Sequence, residues 1–210
     1  MEEDFHRYKL VKEIDAGGMS ETFIARRKTD NKKYFLKRVR LNTQDEVAMR
    51  RELNIYDKLL RWNLQHVAGF VEHVLEPPFL AIVAELANRG DLHSYVTQHN
   101  HGRGLPRDQV LPIAKTIALA IAVLHKNDFV HRDLKPLGIL RFPDGWKVTD
   151  LGISKNLIRF VTNHTMQGRG SKGRAPPKQW IGLPATTSTD IYSFEKILVF
   201  WLVGATDIDF

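Results

Sequence analysis

The feature that most limits how this chain can fold is a change of hydrophobic period near residue 87. Upstream of it, short apolar-rich runs read as strands: "RYKLVKEI" (Arg7–Ile14), "TFIARR" (Thr22–Arg27), "KKYFLKRV" (Lys32–Val39), "AGFVEHVL" (Ala68–Leu75) and "FLAIVAEL" (Phe79–Leu86). The breakers "DAGGMS", "TDN" and "EPP" separate them. Between the third and fourth runs, Gln44–Arg61 carries a helical pattern on Val47, Ala48, Ile55, Tyr56, Leu59 and Leu60. Downstream of "ANRG" (Ala87–Gly90), the pattern becomes helical.

The spacing of Ile113, Ala114, Ile117, Ile121 and Leu124 predicts a helix over Asp108–Lys126, with Pro112 forcing a late start or a kink. Residues 154–178 are rich in Gly, Ser, Lys and Arg without periodicity and read as a long loop, a length usually kept for function. "STDIYSFEKILVFWLV" closes the chain as a buried helix with Ser188 as its N-cap. The expected architecture is therefore α+β and bilobal. A lobe of five strands and one helix spans 1–86, a hinge 87–90 and a helical lobe 91–210.

Composition narrows the class. With 43% hydrophobic and 26% charged residues the chain is globular, and with no cysteine it has no disulfide, thiol nucleophile or Cys-based zinc site. The polar start "MEEDFHRYKL" is no signal peptide, and Glu2 excludes N-myristoylation. The longest apolar run, Ile197–Ala205, is about half of a membrane span. The expectation is an intracellular, cytoplasmic protein off the membrane. A net charge of +7 admits nucleic acid, but no reader motif accompanies it, so a merely basic surface ranks first.

Several short motifs follow one another. "YFLKRV" holds Lys37, and Glu52 lies fifteen residues on in "RRELNIY". "AELANRGDL" spans the hinge, "HRDLK" holds Asp133 and Lys135, "DLG" begins at Asp150, "APPKQW" follows the long loop, and "TDIYS" holds Asp190. Each alone has a bland reading: a surface Lys–Glu pair, a turn aspartate, a packing histidine. Together, in this order and spacing, they resemble the eukaryotic protein kinase family of Ser/Thr type, from about Tyr8 to Phe210.

The resemblance implies a role for each motif. Lys37 would hold the α- and β-phosphates of ATP, with Glu52 as its partner. Ile14, Gly17, Glu85, Ala87, Asp91 and Leu140 would surround the nucleotide, with Ala84 in the gatekeeper place, the Leu86–Ala87 backbone at the adenine and Asp91 near the ribose. Asp133 would accept the substrate hydroxyl proton, Lys135 would steady the moving phosphoryl group, Asp150 would bind Mg²⁺, and Asp190 would brace the catalytic loop from beneath. ATP, Mg²⁺ and a protein substrate or partner are the implied ligands.

The chain also departs from the family pattern. Gly138 replaces the catalytic-loop asparagine, so a metal-binding oxygen is lost and the loop should loosen. Asp15 and Ser20 replace two glycines of the phosphate loop, and a carboxylate there repels phosphates. Phe35 stands where a small residue packs on adenine, and Thr22 replaces the usual valine. Pro177 replaces the glutamate of the APE motif, and the helix that holds its arginine partner lies past Phe210, so the helical lobe reads as truncated.

The functional expectation is a degraded Ser/Thr kinase, a pseudokinase or regulatory module with weak or no phosphoryl transfer. The alternative is an active Ser/Thr kinase. The loop Leu151–Lys178 holds six Lys or Arg, no acidic residue, and Thr162, Thr165 and Ser171, so phosphate on Thr165 or Ser171 could meet Arg132 and order it. The last helix, about Thr189–Val203, is apolar around most of its circumference, which suggests a homodimer, an obligate partner, or poor solubility of the chain alone, with Trp201 at the contact.

Overall fold

The computed structural model describes residues 3–16, 20–40, 57, 58, 60, 62, 64–98, 104–151 and 186–204. They fall into two compact units. The first comprises described residues up to 62 together with 68–87; the second comprises 64–67, 88–151 and 186–204.

The first unit is an antiparallel sheet of six strands: β1 (Glu3–Phe5), β2 (Tyr8–Ala16), β3 (Ser20–Arg27), β4 (Lys33–Arg40), β5 (Phe70–Glu76) and β6 (Phe79–Glu85), in the order β1-β2-β3-β4-β6-β5. That is one strand more than the sequence pattern indicates. The extra strand, β1, has a single buried residue, Phe5, too short a pattern to read as alternation. One face buries Tyr8, Leu10, Phe23, Ala25, Leu36, Ala81 and Val83. Arg38 is buried there too: its Nη1 lies 2.8 Å from Glu3 and its Nε 2.5 Å from Glu21, and its guanidinium stacks over Phe23 and Phe79. These contacts fasten β1 to the sheet.

The β3–β4 turn is tied by Asp30. Its carboxylate accepts from Lys32 N–H at 3.0 Å and Tyr34 OH at 2.8 Å, and meets the Arg27 guanidinium. The hydrogen bond from Arg27 holds the Asp30 carboxyl well below the usual carboxylate range. The predicted helix over Gln44–Arg61 lies largely outside the described residues.

The second unit contains α1 (Leu92–Gln98), α2 (Arg107–Lys126), a 3-10 turn (Pro136–Gly138), the hairpin β7 (Ile139–Phe142) and β8 (Gly145–Val148), and α3 (Thr187–Val203). Helix α2 buries Val110, Ile113, Ile117, Ala120, Ile121 and Leu124, recurring every three or four residues as a helical stripe requires. Each fully buried Ile or Leu contributes roughly 1.5–3 kcal/mol. Pro112 neither delays this helix nor ends it. It sits in the second turn on the exposed side, so the buried stripe runs past it, at the cost of one missing N–H and of crowding between its ring and the carbonyl four residues back. Helix α2 is long and apolar enough to cross a membrane by length and composition alone, yet its inner stripe is part of this unit's core.

Helix α3 starts earlier than its sequence suggests. Thr186, not Ser188, is the N-cap, and its N–H donates to Thr189 Oγ1 at 3.0 Å. Four consecutive hydroxyl residues, Thr186–Thr189, offer competing caps, and burial of Thr189 and Asp190 places the later ones inside the helix. Trp201 is not available for a contact between copies: its side chain is fully buried in this unit's core, and Leu105 N–H donates to its carbonyl at 2.7 Å.

Candidate active site

In the first unit the register aligns the nucleotide candidates. Residues directly opposite on neighbouring strands share a face. One row reads Asp15, Thr22, Lys37 and Ile82 across β2, β3, β4 and β6. The next reads Ile24, Phe35, Ala84 and Phe70 across β3, β4, β6 and β5. Both rows lie on the face opposite the buried core, because Phe23, Leu36 and Val83 fill the alternate positions. Lys37 therefore stands beside Thr22 and two residues from Phe35, and Phe35 is directly opposite the small Ala84. The acidic Asp15 shares the lysine's row.

Ile14 lies on β2 in an irregular stretch of pairing and is half exposed. Glu85 ends β6, where its N–H donates to Gly69 O at 2.9 Å and its side chain accepts from Gly69 N–H. Ala87 follows, half-buried. Gly17 and Glu52 lie outside the described residues, as do Thr162, Thr165, Ser171 and Pro177.

In the second unit the structure brings Asp91 and Leu140 together as bridge partners. Asp91, read as a ribose contact, is also a helix cap here: Ser94 donates to it through both N–H and Oγ, each at 2.8 Å. A capping carboxylate at this place satisfies an N–H left over at the start of α1.

The candidate catalytic loop is built outward from Asp190, which is completely buried. Its carboxylate accepts from the His131 and Arg132 N–H groups, both at 2.8 Å, and lies 2.8 Å from His125 Nε2. Arg132 has φ 70°, a left-handed conformation that a non-glycine residue adopts only when its surroundings impose it. The two bonds from Asp190 impose it and so aim the following residues. Asp133 lies next along the loop, with Lys135 Nζ 3.1 Å from its Oδ2. The same ammonium is 3.9 Å from Asp150 Oδ2, so Lys135 joins the two carboxylates. Asp150 also has a left-handed φ, 56°.

The loop is not loose at Gly138. Its N–H donates to Lys135 O at 2.9 Å, and its carbonyl accepts from Thr149 N–H at 2.8 Å and Thr149 Oγ1 at 3.0 Å. Thr149 O in turn lies 2.9 Å from His131 Nε2. The glycine's freedom is removed by these bonds; what is lost is only the side-chain oxygen. A Cβ built at Gly138 would meet Thr149 O at 3.7 Å and Lys135 Cγ at 3.8 Å, ordinary contact distances. Sequence reasoning missed the roles of Thr149 and His125: each touches the motifs only through space, and no local pattern marks either.

The donor set suits a limited magnesium site. Mg²⁺ is commonly held by one or two carboxylates together with substrate phosphates and water. Asp150, exposed and carboxylate-bearing, fits one such ion; Gly138 has no side-chain oxygen for another.

This architecture has clear relatives. Serine/threonine-protein kinase PrkC of Bacillus subtilis is 30% identical over 97% of this chain and 31% of its own length. Probable serine/threonine-protein kinase PknB of Lactococcus lactis is 30% identical over 97% of this chain and 32% of its own. The chain thus spans about a third of the length of these curated relatives. The crystal structure of the Mycobacterium tuberculosis PknI kinase domain superposes with a TM-score of 0.74 at 18% identity, covering 98% of this chain and 76% of that one, which shows a shared fold. Since residues 8–208 also match the family described as protein kinase domain, the chain belongs to the protein kinase family.

Proposed function

We propose that this chain is a degraded Ser/Thr kinase with weak or no phosphoryl transfer from ATP, acting as a pseudokinase that engages a protein partner. The observation that carries this reading is Gly138. The loop around it keeps its bonded shape, yet the position that would hold metal and steady Asp133 has no side-chain oxygen. Asp15 and Phe35 add to it by placing a carboxylate in the row of Lys37 and an aromatic ring two residues from it. Ile14, Lys37, Glu85, Ala87, Asp91 and Leu140 are the proposed nucleotide contacts, with Gly17 and Glu52 assigned by resemblance alone. Asp150 would hold Mg²⁺, whose chemistry when bound is to neutralise charge on the phosphates. A cytoplasmic setting is proposed with this reading, since a chain without cysteine suits a reducing compartment.

The second reading, an active Ser/Thr kinase, is favoured by one specific arrangement: Asp133 retained with Lys135 at 3.1 Å and aimed by the Asp190 brace. Transfer of labelled phosphate to a generic protein substrate, in Mg²⁺ or Mn²⁺ and beside an Asp133→Asn control, separates the two. The pseudokinase reading expects the unaltered chain to exceed the control little or not at all.

A further inference from the structure

A row of like charges crosses the sheet of the first unit. Across β1, β2, β3 and β4 the register sets Asp4, Lys9, Arg26 and Lys33 directly opposite one another. The row lies on the face of Ile24 and Phe35, each two residues along its strand, and Lys12 stands opposite Ile24. At the β1 end, Lys28 Nζ is 2.8 Å from Asp4 Oδ2. Lys12, Lys28 and Lys33 are exposed, while Lys9 and Arg26 are half-buried. Asp4 is the one carboxylate in the row, and it already has Lys28 as its partner.

Such a row works against the sheet that carries it. Like charges directly opposite on neighbouring strands are destabilising. Neighbouring strands lie about 4.8 Å apart, so Arg26 has a cation close by on either side. Its Nη1 donates to Asn31 Oδ1 at 3.2 Å, a neutral group that does not offset the charge. The opposite face treats its buried cation differently: Arg38 is paired with both Glu3 and Glu21. The same sheet thus compensates a cation on one face and lines several up on the other. An anion brought from elsewhere would relieve the row.

We propose that this row docks a short acidic segment of a partner protein, whose carboxylates meet Arg26, Lys33 and Lys12. The inference rests on the part of the proposed function in which the chain engages a protein partner, and stands whether or not the chain uses ATP. Charge and extent favour a protein segment. Two strand spacings separate Lys9 from Lys33, about 10 Å, and Asp4 closes the β1 end with the opposite charge. That suits a short run of carboxylates. A nucleic acid gains its affinity by having many phosphates neutralised, and a phosphate chain continuing past Lys9 would meet Asp4. Lysine ammonium groups, as compact point charges, pair with carboxylates without a fixed fork. Lys37 is four residues from Lys33 on β4, about 13 Å along the strand, so the row is separate from the proposed phosphate contact.

The test uses the full chain and a fluorescein-labelled peptide of consecutive glutamates, followed by anisotropy at physiological salt. It should bind at least tenfold tighter than the same peptide made of glutamines. Arg26→Glu and Lys33→Glu should each weaken binding at least tenfold. Lys115→Glu, the same change of charge on the exposed side of α2, should not. Lys37→Met should also leave binding unchanged, which keeps a failure here distinct from a failure of the nucleotide reading. Without peptide, Lys33→Glu should melt no lower than the unaltered chain, because it sets an opposite charge beside Arg26. The proposal is overturned by a glutamine peptide that binds equally well, by Lys115→Glu weakening binding as much as Lys33→Glu, or by loss of binding in Lys37→Met. It is also overturned if oligothymidylate, or vesicles of phosphatidylcholine and phosphatidylserine, bind through Arg26 and Lys33 more tightly than the glutamate peptide, which would assign the row to nucleic acid or to a membrane.

Discussion

The proposed catalytic loop and the proposed nucleotide face of the sheet depart from the family pattern in different ways. In the loop, the supporting bonds are intact: Asp190 fixes His131 and Arg132, Thr149 fixes Gly138, and Lys135 joins Asp133 to Asp150. Only one chemical group is gone, the side chain at position 138. On the sheet, the key group Lys37 is retained, but its surroundings have changed: Asp15 shares its row and Phe35 its face. One region lost a group and kept its frame, while the other kept a group and altered its frame. A fold tolerates both, because a sheet and a braced loop are held by backbone bonds and a buried carboxylate, none of which depends on the residues proposed to handle phosphate.

The largest effect is expected where the frame itself is cut. Asp190→Ala leaves the His131 and Arg132 N–H groups buried without an acceptor, at a cost of roughly 3–5 kcal/mol, which lowers the melting temperature by roughly 10 °C. A melting temperature unchanged by this substitution would mean that the loop is held otherwise, and the contrast between the two regions would fail.

Next comes the sheet. A ligand at one hundred times its Kd stabilises by about 2.7 kcal/mol, or roughly 5–10 °C for a chain of this length. Millimolar Mg-ATP should shift the unaltered chain clearly less than this, and Phe35→Ala should enlarge the shift. A full shift in the unaltered chain would show that Phe35 and Asp15 do not impair the pocket.

The smallest effect concerns pH. Asp30 has its folded-state pKa lowered, first by its hydrogen bond from Arg27. Its contribution to stability is therefore present above the ordinary carboxylate value of about 3.9, and is lost as pH falls toward the lower folded value. In Asp30→Asn, the decline in stability on acidification should be shallower. An acid limb identical in both proteins would show that the β3–β4 turn adds nothing there.

Much of this was legible in the sequence because it rests on local period and on short motifs. Alternation marked five of the six strands, and the stripe of Ile113, Ile117, Ile121 and Leu124 marked α2. The order of Lys37, Asp133, Asp150 and Asp190 marked the family. What was not legible depends on distance in space. The strand β1 is held by Arg38 from a remote strand, and Thr149 and His125 acquire roles only when α3 and β8 come beside the loop. Trp201 was misplaced because a helix apolar around most of its circumference does not reveal which side faces the core; here the core takes Trp201 and leaves Ile191, Val199 and Leu202 exposed.

The central claim is that position 138 lacks a group rather than a structure. Gly138→Asn, for which the loop has room, should fold with a melting temperature within a few degrees of the unaltered protein. Phosphate transfer from labelled ATP in Mg²⁺ should then rise at least tenfold above the unaltered chain, which should itself exceed Asp133→Asn little or not at all. Contradiction would come from an unaltered chain that already transfers phosphate well above the Asp133→Asn control and gains nothing from the asparagine.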